Sequence, residues 1–301
     1  MLQLVLMAGT IALIFPKPGS ALSVLVTPVL GVMVLNVSMT IRFDDLKQIA
    51  EHPFMICWSA FLQFIPMSLF ALLLGKMFSQ WLDISTGQLL LGALPADVSA
   101  PLMVYLAGGS TALGTAMLVV AMVLTPVVLP SILAWFGGVA FSVPISYLVI
   151  ELFGIIIAPV VLGIFLNLRS ASVRENERIW SGIASVCYII LLLIVVSSNA
   201  QKIIALKVFA LLMLLIEVIL NLFGYSLAFL TKLIFRQQDT FLPMLFVVSS
   251  KEFGIASAAV ETMRLNTALV IPSVFYAVVQ MISAPIMVRI FMKASRQATR
   301  Q

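Results

Sequence analysis

Most residues of this sequence that could do chemistry lie at two interruptions in long apolar runs. The first is LPADVSAP (94–101), where Pro95 and Pro101 flank Asp97 and Ser99. The second is VSSKEFG (248–254), where Lys251 and Glu252 follow Ser249 and Ser250, with Ser257 a few residues on. Each proline removes a backbone donor, and polar groups freed in this way are tolerable in hydrocarbon only when buried in protein or lining a wet cavity. An ionised side chain at that depth costs at least about 2.5 kcal/mol. A single proline would be a kink; acids and a lysine at both breaks argue for an ion or solute site. Accessory polar candidates are Gln63 and the pair Glu217 and Asn221, four apart on one helical face. Glu217 reads equally as a structural hydrogen-bonding residue and as part of a polar path.

These residues stand out because charge is scarce. Of 301 residues, 62% are hydrophobic and 10% charged, with a mean hydropathy of +1.17, whereas a soluble domain carries about a quarter charged residues. A water-soluble fold is excluded. The net charge of +5 and pI near 9.4 would suit a nucleic-acid binder only if Lys and Arg clustered among aromatics, and they do not. Cys57 and Cys187 sit singly in apolar runs, so neither a disulfide framework nor a CxxC metal site is expected, and no cofactor is. His52 lies in a polar linker. No GxxxxGK[ST] loop for ATP occurs. The apolar start at Met1 lacks a basic n-region and reads as a first span, not a cleavable signal.

The elements that must position the two breaks are membrane helices. Cutting the chain at charges, Gly/Pro clusters and polar turns predicts an all-α polytopic protein with about ten spans: 2–15, 22–41, 54–77, 85–107, 110–136, 144–168, 180–200, 208–235, 240–263 and 267–292. GGVAFSVP (137–144) separates the fifth and sixth. With the N-terminus inside, 11 of the 17 basic residues fall on the cytoplasmic side and five outside, leaving Lys251 within a span. Both termini are therefore expected in the cytoplasm, and the bacterial inner membrane is the expected location. RFDDLKQIAEH (42–52) suits a helix lying in the headgroup layer. Arg289, Lys293, Arg296 and Arg300 form one basic stripe, for which anionic lipid is the expected partner.

The breaks occupy corresponding places, in the fourth and ninth spans. Each is followed by the tripeptide TAL, at 111–113 and 267–269. A five-span unit repeated in inverted topology would produce this pattern and cross the two broken spans at mid-membrane.

At these places the sequence resembles the bile acid:sodium symporter family. The segments VLNVSMTIRFDDLKQI (34–49), LLLGALPADVSAPLMVYLAGGSTALGTAM (89–117) and SSKEFGIASAAV (249–260) are similar to its second-span exit, fourth span and ninth span. The resemblance implies ten spans in two inverted repeats. A panel would comprise spans 1, 2, 6 and 7 (about 2–41 and 144–200) and a core spans 3–5 and 8–10 (about 54–136 and 208–292). It also implies uptake of an organic anion, commonly with sodium, beside the crossing of spans 4 and 9. Glu252 matches a family sodium ligand, and Gln63 is a candidate for the third-span glutamine. The amide pair that usually follows the glutamate falls on Ala256 and Ser257, and the fourth-span Ser-Asn pair on Ala100 and Pro101. Sodium needs several oxygens, and most of those side-chain donors are missing, which argues against sodium dependence.

Lys251 offers an alternative: an ammonium filling the space given to sodium, paired with Asp97 across the crossing, with proton exchange there or at Glu252 as the coupling event. The leading expectation is thus an ion-coupled secondary transporter, a symporter of a bile-acid-like or small organic anion, with sodium or the proton as coupling ion. A proton-coupled cation antiporter is the alternative. An intramembrane enzyme would need a nucleophile with a base, a metal cluster or paired acids; Lys251 beside Glu252 argues against the last.

Overall fold

A computed structural model describes residues 2–17, 21–136, 145–237 and 239–298, and every regular element among them is helical. In chain order these are α1 (Leu2–Ile14), α2 (Val26–Ser38), α3 (Phe43–Glu51), α4 (Pro53–Phe64), α5 (Pro66–Gly75), α6 (Leu82–Gly92), α7 (Ala100–Leu106) and α8 (Thr111–Phe136). There follow α9 (Ile145–Leu152), a π-helical turn (Phe153–Ile157), α10 (Ala158–Arg169), α11 (Ala171–Glu175), α12 (Glu177–Ala205), α13 (Val208–Phe235), α14 (Phe241–Val248), α15 (Phe253–Thr262) and α16 (Ile271–Ala298). The turn expected at 137–144 and Arg300 of the basic stripe lie outside the described residues.

Among the described residues seven helical stretches are long and apolar enough to cross a membrane, and a bent pair raises the number to eight. Ten were expected, and the differences have local causes. α1 has only 13 residues, against the roughly 20 a span needs. The fourth expected span is cut into helices of 11 and seven residues, because Pro95 has no N–H and disfavours helical geometry at Leu94. The ninth is also broken, but Phe241–Thr262 still spans 22 residues. The bent pair is Ser23–Ser38 with Phe43–Glu51, which meet at 81°. That angle lays α3 across the direction of α2, as a headgroup-layer helix requires. On α3 the Lys47 ammonium donates to Asp44 at 2.8 Å and holds that carboxyl below its ordinary range, while burial pushes the Asp45 carboxyl up.

α10 and α12 pack on α2, with α1 against α12, and α4 to α8 pack with α13, α14 and α16 as a second group. Without a hydrophobic force between helices in lipid, close approach at small residues supplies much of the attraction. Gly163 of α10 shows this: a Cβ there would stand 2.5 Å from the Ser38 Cβ and 2.7 Å from the Leu35 carbonyl oxygen of α2. An apolar cavity of about 320 Å³ lies between α1 and α12 on one side and α13 and α16 on the other, lined by Leu13, Leu192, Val196, Leu214 and Phe275 among others.

Gly163→Val is expected to destabilise the protein by about 1–3 kcal/mol through overpacking, seen as a lower thermal unfolding midpoint in detergent. Gly31→Val is the control on the partner helix α2, since a Cβ there meets nothing within 4 Å. Equal midpoints for the two would contradict the close contact.

Candidate functional site

The two breaks meet and form one polar knot in an apolar interior. Asp97 and Glu252 are fully buried and Lys251 is 1% exposed. The Glu252 N–H donates to the Pro95 carbonyl at 3.0 Å, and the Asp97 N–H donates to the Ser250 hydroxyl at 3.2 Å, so each break satisfies the other.

Helix rupture between α6 and α7 frees a known set of groups, and its N–H groups find other partners. In a continuous helix the Ala96 N–H would bond the Gly92 carbonyl; it goes instead to Gln63 Oε1 at 3.0 Å. The Val98 N–H, due to Leu94, donates to Glu252 Oε2 at 3.2 Å. The Ser99 N–H, due to Pro95, donates to Asp97 Oδ1 at 2.7 Å. These diversions leave the Gly92 and Leu94 carbonyls at the end of α6, and the Lys251 ammonium meets them at 2.7 and 2.8 Å. Its third donor reaches the Gln63 carbonyl at 2.7 Å, in the last turn of α4 before Pro66. Buried backbone groups need such partners.

The ninth-span break is held as fully. Gln280 of α16 accepts from the Lys251 N–H at 2.9 Å and donates to the Lys251 carbonyl at 3.1 Å and to Asp97 Oδ2 at 3.0 Å. Asn221 Nδ2 and the Tyr276 hydroxyl donate to the Ser249 carbonyl at 2.8 and 2.6 Å. Glu252 Oε1 caps α15 by accepting from the Gly254 N–H at 3.1 Å. Gly224 of α13 lets that helix approach, since a Cβ there would lie 2.7 Å from the Ser249 Cα.

Asp97, Ser99, Ser250, Lys251, Glu252 and Gln63 are thus brought together, and Asn221 reaches the same knot through Ser249. The expected pairing of Asp97 with Lys251 is corrected: neither takes part in an ion pair. The reason is the accounting above, because the ruptured helix ends offer carbonyls to Nζ while backbone and Gln280 N–H groups take both Asp97 oxygens. The Ser249 and Ser257 hydroxyls turn back onto their own chain, donating to the Leu245 and Phe253 carbonyls at 2.6 and 3.0 Å. Glu217 lies apart, accepting from Gln88 Nε2 at 3.1 Å, while Glu217 Oε1 and Gln88 Oε1 have no partner. Gln280 and Tyr276 were not singled out from sequence. Their spacing of four in an apolar span is the signal that, as with Glu217 and Asn221, would have found them. Among the described residues no group of three or more His, Cys, Asp or Glu is placed to hold a metal ion.

A sequence profile of the Sodium Bile acid symporter family matches residues 27–220. The chain belongs to that family. The match takes in Gln63 and Asp97, and Lys251 and Glu252 lie beyond it. The chain is also similar to "Uncharacterized sodium-dependent transporter YocS" of Bacillus subtilis (strain 168), 24% identical over 266 residues that make up 88% of this chain and 82% of that protein. It is similar to "Probable sodium/metabolite cotransporter BASS1, chloroplastic" of Arabidopsis thaliana, 25% identical over 138 residues, 46% of this chain and 34% of that one. Family membership and the apolar helices make this an integral membrane protein of a transporter family, with a small molecule as its substrate.

Gln280→Leu strands both Lys251 backbone groups and one Asp97 oxygen. Each unsatisfied buried group costs about 1–3 kcal/mol, so a clear fall in the thermal unfolding midpoint is expected. Ser257→Ala, which loses only a bond within its own helix, is expected to change it little.

Proposed function

We propose that this protein is a secondary active transporter of an organic anion, a bile-acid-like or smaller carboxylate, working by alternating access across the seam beside the crossover. The observation that carries the reading is the crossing of two broken helices whose charged side chains are buried and bonded to backbone groups and to Gln280. Such a knot is a rigid fixed point, while the seam around it, with its apolar cavity, is able to rock.

On this reading α1, α2, α9–α10 and α12 form the panel, and the helices carrying the crossover form the core. The family and the name of the Arabidopsis thaliana relative, a probable sodium/metabolite cotransporter, support a metabolite as cargo. Ten spans in two inverted five-span units are proposed, with short α1 and the interrupted α6–α7 counted as spans. Support comes from the two breaks and from the TAL tripeptides, the first opening α8 and the second the 3-10 turn Thr267–Val270 ahead of α16. The basic residues of the expected cytoplasmic loops support inward termini in a bacterial inner membrane, and Arg289, Lys293 and Arg296 on α16 support contact with anionic lipid.

The seam is bridged by short side chains that must part if it opens. The Thr27 hydroxyl, just inside α2, and the Thr262 hydroxyl, at the end of α15, are 3.2 Å apart. Thr27→Cys with Thr262→Cys, in a background lacking Cys57 and Cys187, is expected to form a disulfide on oxidation. In proteoliposomes offered labelled bile salts and small carboxylates, the oxidised protein is expected to lose most of its anion flux and regain it on reduction. Undiminished flux through the cross-linked protein would rule out rocking at this seam. Cation flux with no flux of any organic anion would favour an inorganic cation antiporter instead.

A further inference from the structure

We infer that the Lys251 ammonium is a tethered cation seated in a carbonyl cage at the crossover, in place of an exchangeable one, so that the crossover binds no sodium. The inference deepens the transporter reading by addressing its coupling ion.

Three carbonyl oxygens, from Gln63, Gly92 and Leu94, converge on Nζ at 2.7, 2.7 and 2.8 Å. An ammonium has three N–H donors and no acceptor, so the match is complete; a neutral amine would set its lone pair against one of the three oxygens. Two of the carbonyls belong to the ruptured end of α6 and the third to the last turn of α4. Helix C-termini carry partial negative charge, and two of them share this one cation.

A convergence of backbone carbonyls is also how proteins hold a bare alkali cation. Here that position is filled by a side chain that cannot leave. The carboxylate and side-chain amide oxygens of the knot are committed as well. Both carboxylate oxygens of Asp97 and both of Glu252 accept N–H bonds, and the side-chain oxygens of Gln63 and Gln280 each accept one. Ala100, Pro101 and Ala256 offer no side-chain oxygen where the family resemblance would place donors, and the Ser257 hydroxyl is turned onto the Phe253 carbonyl. An entering sodium would have to displace Lys251 and break several of these bonds without a replacement set of ligands.

The test reads binding directly and does not depend on transport. Purified protein is exchanged into choline chloride and titrated with sodium chloride at constant ionic strength, following radioactive sodium retention and the thermal midpoint. The wild type is expected to show no saturable sodium binding and no shift. Lys251→Ala empties the cage, so its midpoint is expected to be lower and to rise in a dose-dependent way with sodium or methylammonium, as any ligand selective for the folded state must raise it. Lys251→Met, which keeps much of the side-chain volume, carries the same comparison if Lys251→Ala is not recovered. Saturable sodium binding by the wild type would overturn the inference. So would folded variants that respond to neither cation. Absence of organic-anion flux would count against the transporter reading alone and leave this result standing.

Discussion

Hydrocarbon offers no hydrogen bonds, so every backbone group released by a broken helix must be caught by the protein itself. That constraint organises the centre of this molecule. Pro95 ends α6 early, Pro101 starts α7, and the N–H groups between them go to Gln63, Ser250, Glu252 and Asp97. The carbonyls left behind require donors, and Lys251 supplies three. Charge that is expensive in a bilayer is kept here because each charged group meets two or three hydrogen-bond partners, most of them backbone groups.

A knot bonded this completely is poorly suited to move. Gln280, Asn221 and Tyr276 lock the ninth-span break to α13 and α16, and the Glu252 N–H bond to Pro95 locks it to the fourth. Buried polar networks that are fully satisfied are rigid, because any displacement leaves several groups unpaired at once. Apolar contacts and the exposed Lys202 contacts to Asn266 and Thr267 join the two helix groups, with a cavity between them. On the proposed reading, motion falls at this seam and the crossover stays fixed.

Much of this was legible residue by residue. Scarce charge and long apolar runs specified membrane helices, the polar face of 42–52 specified a helix turned out of line, and the prolines around Asp97 specified a rupture. Asn221 and the charged trio were identified by the cost of placing them in lipid, and Gln63 by the family resemblance. The number of spans was less legible, since α1 and the halves of the fourth expected span fall short of the length a bilayer crossing needs. Partners were least legible. Opposite charge suggested Asp97 for Lys251, whereas the ammonium found carbonyls and Asp97 found Gln280, which drew no notice as one amide in an apolar helix.

The sequence by itself determined which residues could not face lipid and where helices had to break, because hydropathy, proline geometry and charge act on each residue locally. Only the tertiary structure decided what those residues bond to. The carbonyls around Lys251 are separated from it by as many as 188 positions, and a carbonyl is present at every residue. Its availability depends on whether its own helix has been interrupted and on which helix end is brought against which. That is a property of the packed chain, and it turned an expected ion pair into a caged cation.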